Sequence, residues 1–263
     1  CHSIAIEAPW WYRNFMCTVV ILRRPGHDWP LILGTNRDEM VDRPWRAPGR
    51  HWPDRQDVVA GLDELAGGTW LGVNDTGVIA AIMNREGALG PADGKRSRGE
   101  VVLEALDHPD AALAARALRA LDGTAYRPFN LVVADNRDAF WLRSTGDGAV
   151  TVRTVPAGHS MITVRELNDM SHARIRTYLP RLKAAADPDP AAGDWADWEA
   201  LMAATETAKD AGPRGAMAIA PVGGYGTVSG SLIALAAPGG AARPVWRFCA
   251  ARPGTAPYQD VAF

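Results

Sequence analysis

Short apolar and β-branched runs alternate with turn signals along most of the chain, a pattern typical of antiparallel strands. Residues 17–22 (CTVVIL) and 31–35 predict the first two strands, and the second is expected to end at Asn36-Arg37-Asp38-Glu39. Asn74-Asp75-Thr76 separates two further apolar runs, as in a β-hairpin. Residues 42–57, rich in Pro, Arg and Trp, predict an irregular surface loop. Later strands are predicted at residues 129–134, 139–143, 150–155, 160–164, near 216, 228–236 and 245–250.

Helical spacing of apolar residues interrupts this series of strands twice. Residues 97–106 and 111–121 predict one pair of helices, and residues 171–186 and 195–205 predict a second pair. The hairpin turns indicate antiparallel pairing rather than βαβ crossovers. Two sheets sandwiched between helix layers satisfy this order, so the predicted fold class is α+β with four layers, αββα.

Composition and charge argue against two classes of function, nucleic-acid binding and membrane-spanning proteins. The 263 residues are 47% hydrophobic and 22% charged, which is typical of a globular chain, and we expect one domain over residues 16–263. The formal net charge of -2 gives no basic field for nucleic acid. No stretch reaches the roughly 20 continuous apolar residues of a membrane span. The expected partner is a small molecule, the expected location is cytoplasmic, and the sequence leaves the oligomeric state open.

Cysteine and histidine usage predicts neither a disulfide framework nor a metal site. The cysteines are Cys1, Cys17 and Cys249, with no CxxC pair. The six histidines show neither HxH nor HExxH spacing. We therefore expect no required cofactor.

Residues 1–15 read as an extension that lies upstream of the native start. They lack the basic and long apolar regions of a signal peptide, although lipid modification at Cys1 is an alternative. Met16 followed by Cys17 and an apolar strand fits a start better.

Removal of Met16 would make Cys17 the N-terminal residue, and such a cysteine carries both a nucleophile and a base. Its thiolate attacks, while its own α-amine, with a pKa of about 7.7–8.0, accepts the proton. The alternative is a small apolar residue at the start of a buried strand.

Asn36-Arg37-Asp38-Glu39 matches the signature of the NRDE-motif (TANGO2-like) family, which the chain resembles over nearly all of residues 16–235. The further matches occur in the family's order. They are Met16-Cys17-Thr18, Ala60-Gly61-Leu62-Asp63, Gly67-Gly68-Thr69-Trp70-Leu71-Gly72-Val73, Asn84-Arg85, Arg96-Ser97-Arg98-Gly99-Glu100, Phe129-Asn130-Leu131, Asn168 and Tyr225-Gly226-Thr227.

That family resembles the cysteine type of N-terminal nucleophile (Ntn) hydrolases, which cleave amides. The resemblance implies an αββα fold with Cys17 as nucleophile. Arg37 would favour the thiolate, and Asp38 or Glu39 would hold the α-amine. Asn84 and Asn168 would donate to an oxyanion. Substrate contacts are expected from Asn36, Trp70, Arg85 and Tyr225.

Each of these residues also has a structural interpretation. The motif at residues 36–39 could be a solvated turn, Asn84 and Asn168 could stabilise a turn and a helix start, and Trp70 could belong to the core. Arg96 and Arg98 could begin a helix or bind a carboxylate. Val228 stands where the family usually has an arginine.

Two other functions remain open at this point. A non-catalytic carrier of haem or an acyl chain would suit the family, with Cys17, His51 and His159 as possible iron ligands. A papain-like enzyme would need a histidine beside Cys17 in space.

Overall fold

The structure is a computed structural model that describes residues 17–88, 90–239 and 242–263. The expected extension at residues 1–15, which includes Cys1, lies outside these ranges, and so does Met16. The described strands are β1 (Thr18–Arg23), β2 (Leu31–Met40), β3 (Trp45–Gly49), β4 (Val58–Asp63), β5 (Leu71–Asn74), β6 (Ile79–Asn84), β7 (Phe129–Ala134), β8 (Ala139–Ser144), β9 (Thr151–Thr154), β10 (Gly158–Ile162), β11 (Tyr225–Leu235), β12 (Val245–Cys249) and β13 (Gln259–Asp260). The helices are α1 (Gly99–Leu106), α2 (Ala111–Leu118), α3 (Ala173–Ala184) and α4 (Ala196–Met202).

The strands form two antiparallel sheets. The first sheet has the order β10-β1-β2-β11-β12-β13, and the second runs from β3 to β9 in chain order. Each strand of the second sheet pairs with the next strand in the chain, and α1 and α2 lie in the connection between β6 and β7. In the first sheet β1 and β2 lie at the centre, beside β11 from the end of the chain.

Three apolar layers hold the molecule together. Leu33 of β2 and Val73 of β5 belong to a core between the two sheets. α1 and α2 pack on the second sheet, for example through Leu106. α3 and α4 pack on the first sheet, where Tyr178 and Trp198 are fully buried. The predicted αββα architecture is thus confirmed.

Several boundaries differ from the prediction. β2 does not end at residue 35 but continues through Met40, so the motif at residues 36–39 lies within a central strand. The predicted loop at residues 42–57 contains β3. The region near residue 216 follows a 3-10 turn (Pro213–Gly215) rather than forming a strand, and β11 begins at Tyr225. The apolar pattern does not reveal β3 or the last part of β2. Charged side chains interrupt the pattern in these segments because they form ion pairs.

Candidate active site

Cys17 immediately precedes β1, a central strand of the first sheet. It is partly exposed and packs against the core between the two sheets. Its Sγ donates to the main-chain oxygen of Asp38 at 3.6 Å. The sulfur therefore lies at the boundary between the apolar core and the polar residues of β2.

The register of β1 with β2 brings Cys17 and Arg37 together. Thr18 pairs with Asn36 in this antiparallel ladder, so one further step places Cys17 opposite Arg37. Directly opposed residues of antiparallel strands project from the same face of the sheet. Both side chains consequently face the second sheet.

A small cavity, which we call the cysteine cavity, separates the sheets at this point. It has a volume of about 10 Å³, and its lining includes Cys17, Arg37, Trp70, Leu71, Ala81 and Met83. A volume of this size accommodates about one water molecule. The cavity joins the thiol of the first sheet to residues of β5 and β6 in the second.

Arg37 is buried and incompletely hydrogen-bonded. Its Nη2 lies 3.6 Å from Oδ2 of Asp63, and its guanidinium carbon lies 4.2 Å from the centre of the Trp70 ring. Its Nη1 is buried and has no hydrogen-bond partner among the described residues. Burial lowers the pKa of Arg37 from its ordinary value, against the opposing effect of Glu39.

Asp38 projects from the opposite face of β2, towards α3. Nη1 of Arg174 lies 3.0 Å from Oδ2 of Asp38, and both side chains are fully buried. Thr227 Oγ1 donates to Oδ1 of Asp38 at 2.5 Å. The same Nη1 of Arg174 also donates to Thr18 Oγ1, at 2.6 Å, so this ion pair links β1, β2, β11 and α3.

Burial shifts the acid–base behaviour of both groups. It is the largest cause that raises the pKa of the Cys17 thiol to about 12, and the negative charge of Asp38 adds to it. Burial also raises the pKa of Asp38 to about 6, although Arg174 and Thr227 act in the other direction. A thiol with such a pKa is almost wholly protonated at neutral pH, so attack requires a nearby base.

Asn36 and Glu39, the outer residues of the motif, occupy separate environments. Nδ2 of Asn36 donates to the main-chain oxygens of Met202, at the end of α4, and Met217, at 2.9 and 2.8 Å. It thus fastens the first sheet to its helix layer. Glu39 alternates with Asp38 and lies on the face of β2 that carries Arg37, where its Oε2 is 3.8 Å from Nε of Arg43.

The two asparagines expected to stabilise an oxyanion are placed differently from each other. Asn84 ends β6 directly after Met83, which lines the cysteine cavity. Because side chains alternate along a strand, Asn84 and Ile82 project from the same face of β6. Ile82 packs against the α1 side, so Asn84 lies on that side too. Asn168 adopts a left-handed backbone with φ 58, and its side chain bonds Met161 N at 2.8 Å and Ser160 Oγ at 3.2 Å.

Three expected substrate contacts lie at three separate locations. Trp70 lines the cysteine cavity, whereas Tyr225 is buried at the start of β11 and packs with Ile219 and Met40. Arg85 instead donates to Asn130 Oδ1 at 2.9 Å and pairs with Glu166 at 2.7 Å. It thereby connects the second sheet to the segment after β10.

Val228 lies at a β-bulge between Thr227 and Ser229, where the register of β11 with β2 shifts. It stands where the family usually has an arginine. The structure instead brings Arg174 to this part of the first sheet from α3, beside Thr227 and Asp38. No sequence signal points to Arg174, which lies in an ordinary helical pattern 136 residues from Asp38 along the chain.

None of the histidines in the described ranges lines the cysteine cavity. His51 Nε2 is 2.8 Å from the main-chain oxygen of Ala47, and His159 pairs with Asp187 at 2.8 Å. His159 is opposite Leu22, at the other end of β1 from Cys17. At about 3.3 Å per residue this is roughly 16 Å, too far for the two to share one iron.

The described ranges contain no cluster of three or more His, Cys, Asp or Glu side chains arranged to hold a metal ion. None of their helices has the length and hydrophobicity needed to cross a membrane.

The profile of the family described as Transport and Golgi organisation 2 (TANGO2) matches residues 16–239. The chain belongs to the TANGO2 family. Similar TANGO2 proteins include the homologue from Bos taurus, 38% identical over 110 residues, and that from Homo sapiens, 36% identical over 110 residues. Each alignment covers 40% of this chain and 38% of the relative.

Solved structures with a similar fold include an amidase ortholog and an acylase. The Caenorhabditis elegans ortholog of N-acylethanolamine-hydrolysing acid amidase superimposes with a TM-score of 0.58 at 14% identity, covering 82% of this chain and 92% of that one. Penicillin V acylase from Agrobacterium tumefaciens gives 0.54 at 14% identity, with coverages of 93% and 86%. At these identities the likeness shows a common fold, that of Ntn hydrolases.

Proposed function

We propose that this chain is an N-terminal nucleophile hydrolase that cleaves an amide C–N bond of a small acylated substrate, with Cys17 as nucleophile. The observation that carries the proposal is the cysteine cavity, in which a partly exposed thiol shares a face with a buried arginine. The fold supports it, because the two similar structures are those of an acid amidase ortholog and a penicillin V acylase.

The reaction begins with the α-amine of a mature chain that starts at Cys17. The amine accepts the proton of Sγ, and the thiolate attacks the substrate carbonyl carbon. A C–S bond forms while the carbonyl π pair moves to oxygen. When the C=O bond forms again, the C–N bond breaks and the departing nitrogen takes the proton from the α-ammonium. Water then hydrolyses the thioester and frees the thiol.

Burial makes the free amine necessary in this scheme. With a peptide bond before Cys17, the pKa of its thiol is about 12. An α-ammonium on the same residue would place a positive charge close to the sulfur and lower that pKa. One of the carboxylates Asp38 and Glu39 would hold the ammonium.

The proposal is tested by intact-protein mass spectrometry of the chain that starts at Cys17, after incubation with a panel of amides and lactams. We expect an acyl adduct that peptide mapping locates at Cys17 and that the Cys17→Ala variant lacks. Cys249 is an internal control, because it is fully buried and its Sγ donates to Ala251 and Ala256. Absence of any Cys17 adduct across the panel would refute the proposal.

A further inference from the structure

One nitrogen in the cysteine cavity lacks the acceptor that its charge requires. Nη1 of Arg37 is buried and makes no hydrogen bond to any described residue. By contrast, Nη1 of the buried Arg174 lies 3.0 Å from Oδ2 of Asp38, and Nε of the half-buried Arg43 lies 2.8 Å from Oδ2 of Asp63. A buried donor without an acceptor is unfavourable, and in a native protein it calls for a specific explanation.

The position of Arg37 suggests what the missing acceptor is. Arg37 and Cys17 are cross-strand neighbours on the face of the first sheet that lines the cavity. The cavity has room for about one oxygen-sized group beside the thiol. An oxygen attached to a carbon that bonds Sγ would enter this space.

Asn168, expected from sequence to stabilise such an oxygen, is already engaged. Its Nδ2 donates to Ser160 Oγ, and its Oδ1 accepts from Met161 N. Asn84 alternates with Met83, which packs in the core between the sheets, so it lies with Ile82 on the α1 face of β6. Arg37 is the charged side chain lining the cavity, so it is better placed than either asparagine.

We infer that Nη1 of Arg37 donates a hydrogen bond to the oxyanion that forms when Cys17 attacks a carbonyl carbon. This inference rests on the proposed function. As the C–S bond forms, the carbonyl π pair becomes a charge on oxygen, and Nη1 gains its acceptor at that moment. When the C–N bond breaks, the pair returns to the C=O bond and the charge disappears. A fixed donor of this kind typically contributes about 100- to 1000-fold in rate.

A different role for Arg37 would be to increase the thiolate population, and two reagents separate the roles. Iodoacetamide alkylates a thiolate by displacing iodide from a saturated carbon, so no oxyanion forms. An acylating amide or lactam requires both a thiolate and a stabilised oxyanion. The ratio of acylation rate to alkylation rate at Cys17 therefore reports the oxyanion contact alone.

The experiment measures both rates in the chain starting at Cys17 and in its Arg37→Lys and Arg37→Met variants. We expect the ratio to fall about 100-fold or more in both variants. Asp63→Asn is the matched control, since it removes the carboxylate 3.6 Å from Nη2 but keeps Nη1, and its ratio should stay near that of the unmodified chain. Urea unfolding identifies variants that do not fold, and Arg37→Gln then serves as the substitute.

The outcomes distinguish the two claims. A ratio unchanged in the Arg37 variants, whether both rates fall together or neither falls, overturns the oxyanion assignment while the proposed hydrolase stands. Failure of the unmodified chain to form any acyl adduct removes the proposed function and this inference with it.

Discussion

Consecutive residues of β2 face opposite sides of the first sheet, so the motif at residues 36–39 serves two environments. Arg37 and Glu39 project towards the second sheet and the cysteine cavity. Asn36 and Asp38 project towards the helix layer. There Asn36 donates hydrogen bonds to main-chain oxygens of neighbouring segments, and Asp38 pairs with Arg174. Two adjacent charged residues can therefore have unrelated partners.

Arg174→Met leaves the carboxylate of Asp38 buried beside Thr227 without its cation. Breaking a buried pair from one side typically costs about 3–5 kcal/mol. Arg176→Met is the control on the same helix, because Arg176 pairs with an exposed aspartate, Asp210. This substitution should lower the free energy of unfolding by at most about 1 kcal/mol. Urea unfolding of both variants measures the difference, and equal losses would contradict a structural role for the buried pair.

The same pair predicts how stability depends on pH. The pKa of Asp38 is raised to about 6 in the folded chain from an ordinary value of 3.8, so the folded state binds more protons between these values. The contribution of Asp38 to stability therefore falls as pH rises from about 4 to about 6 and is constant above. Arg174→Met raises this pKa further. The loss of unfolding free energy caused by the substitution should therefore be larger at pH 8 than at pH 5. If unfolding curves give the same loss of stability at pH 5 and at pH 8, the proposed dependence on Asp38 is contradicted.

At the scale of elements, strands from both sheets supply the cysteine cavity. β1 and β2 bring Cys17 and Arg37, and the second sheet contributes Trp70, just before β5. The Trp70 ring lies between Arg37 and β4, where Gly61 leaves room for it. A glycine in β4 thus leaves the space for an aromatic ring that lines the cavity.

Gly61→Ala is expected to displace that ring. A Cβ at Gly61 would lie 2.3 Å from Cη2 of Trp70, so the ring must move. Overpacking of this kind costs about 1–3 kcal/mol, and we expect slower Cys17 acylation because the support of Arg37 shifts. The smaller ring of Trp70→Phe should recover part of the lost stability in the double variant. Purely additive losses in thermal unfolding would argue against the contact.

At the scale of the whole molecule, four layers place the first residue of a central strand at the edge of the core between the sheets. Much of this was predictable, because alternating apolar runs and two helix pairs determine the layers. The extent of β2 was not, since Asn36, Arg37 and Asp38 are buried through pairing that no local pattern reveals. Arg174 was missed for the same reason, because its partners Thr18 and Asp38 become neighbours only through long-range strand pairing.

The central claim is that Cys17 acts with its own α-amine, and its most direct test compares two forms of the chain that differ by one residue. The form starting at Cys17 should be acylated at neutral pH, with a rate that levels off as the amine titrates near pH 7.7–8.0. The form retaining Met16 should react at least about 100-fold more slowly at pH 7.5, and its rate should keep rising with pH, because its thiol has a pKa of about 12. Equal rates and equal pH profiles for the two forms would contradict the account.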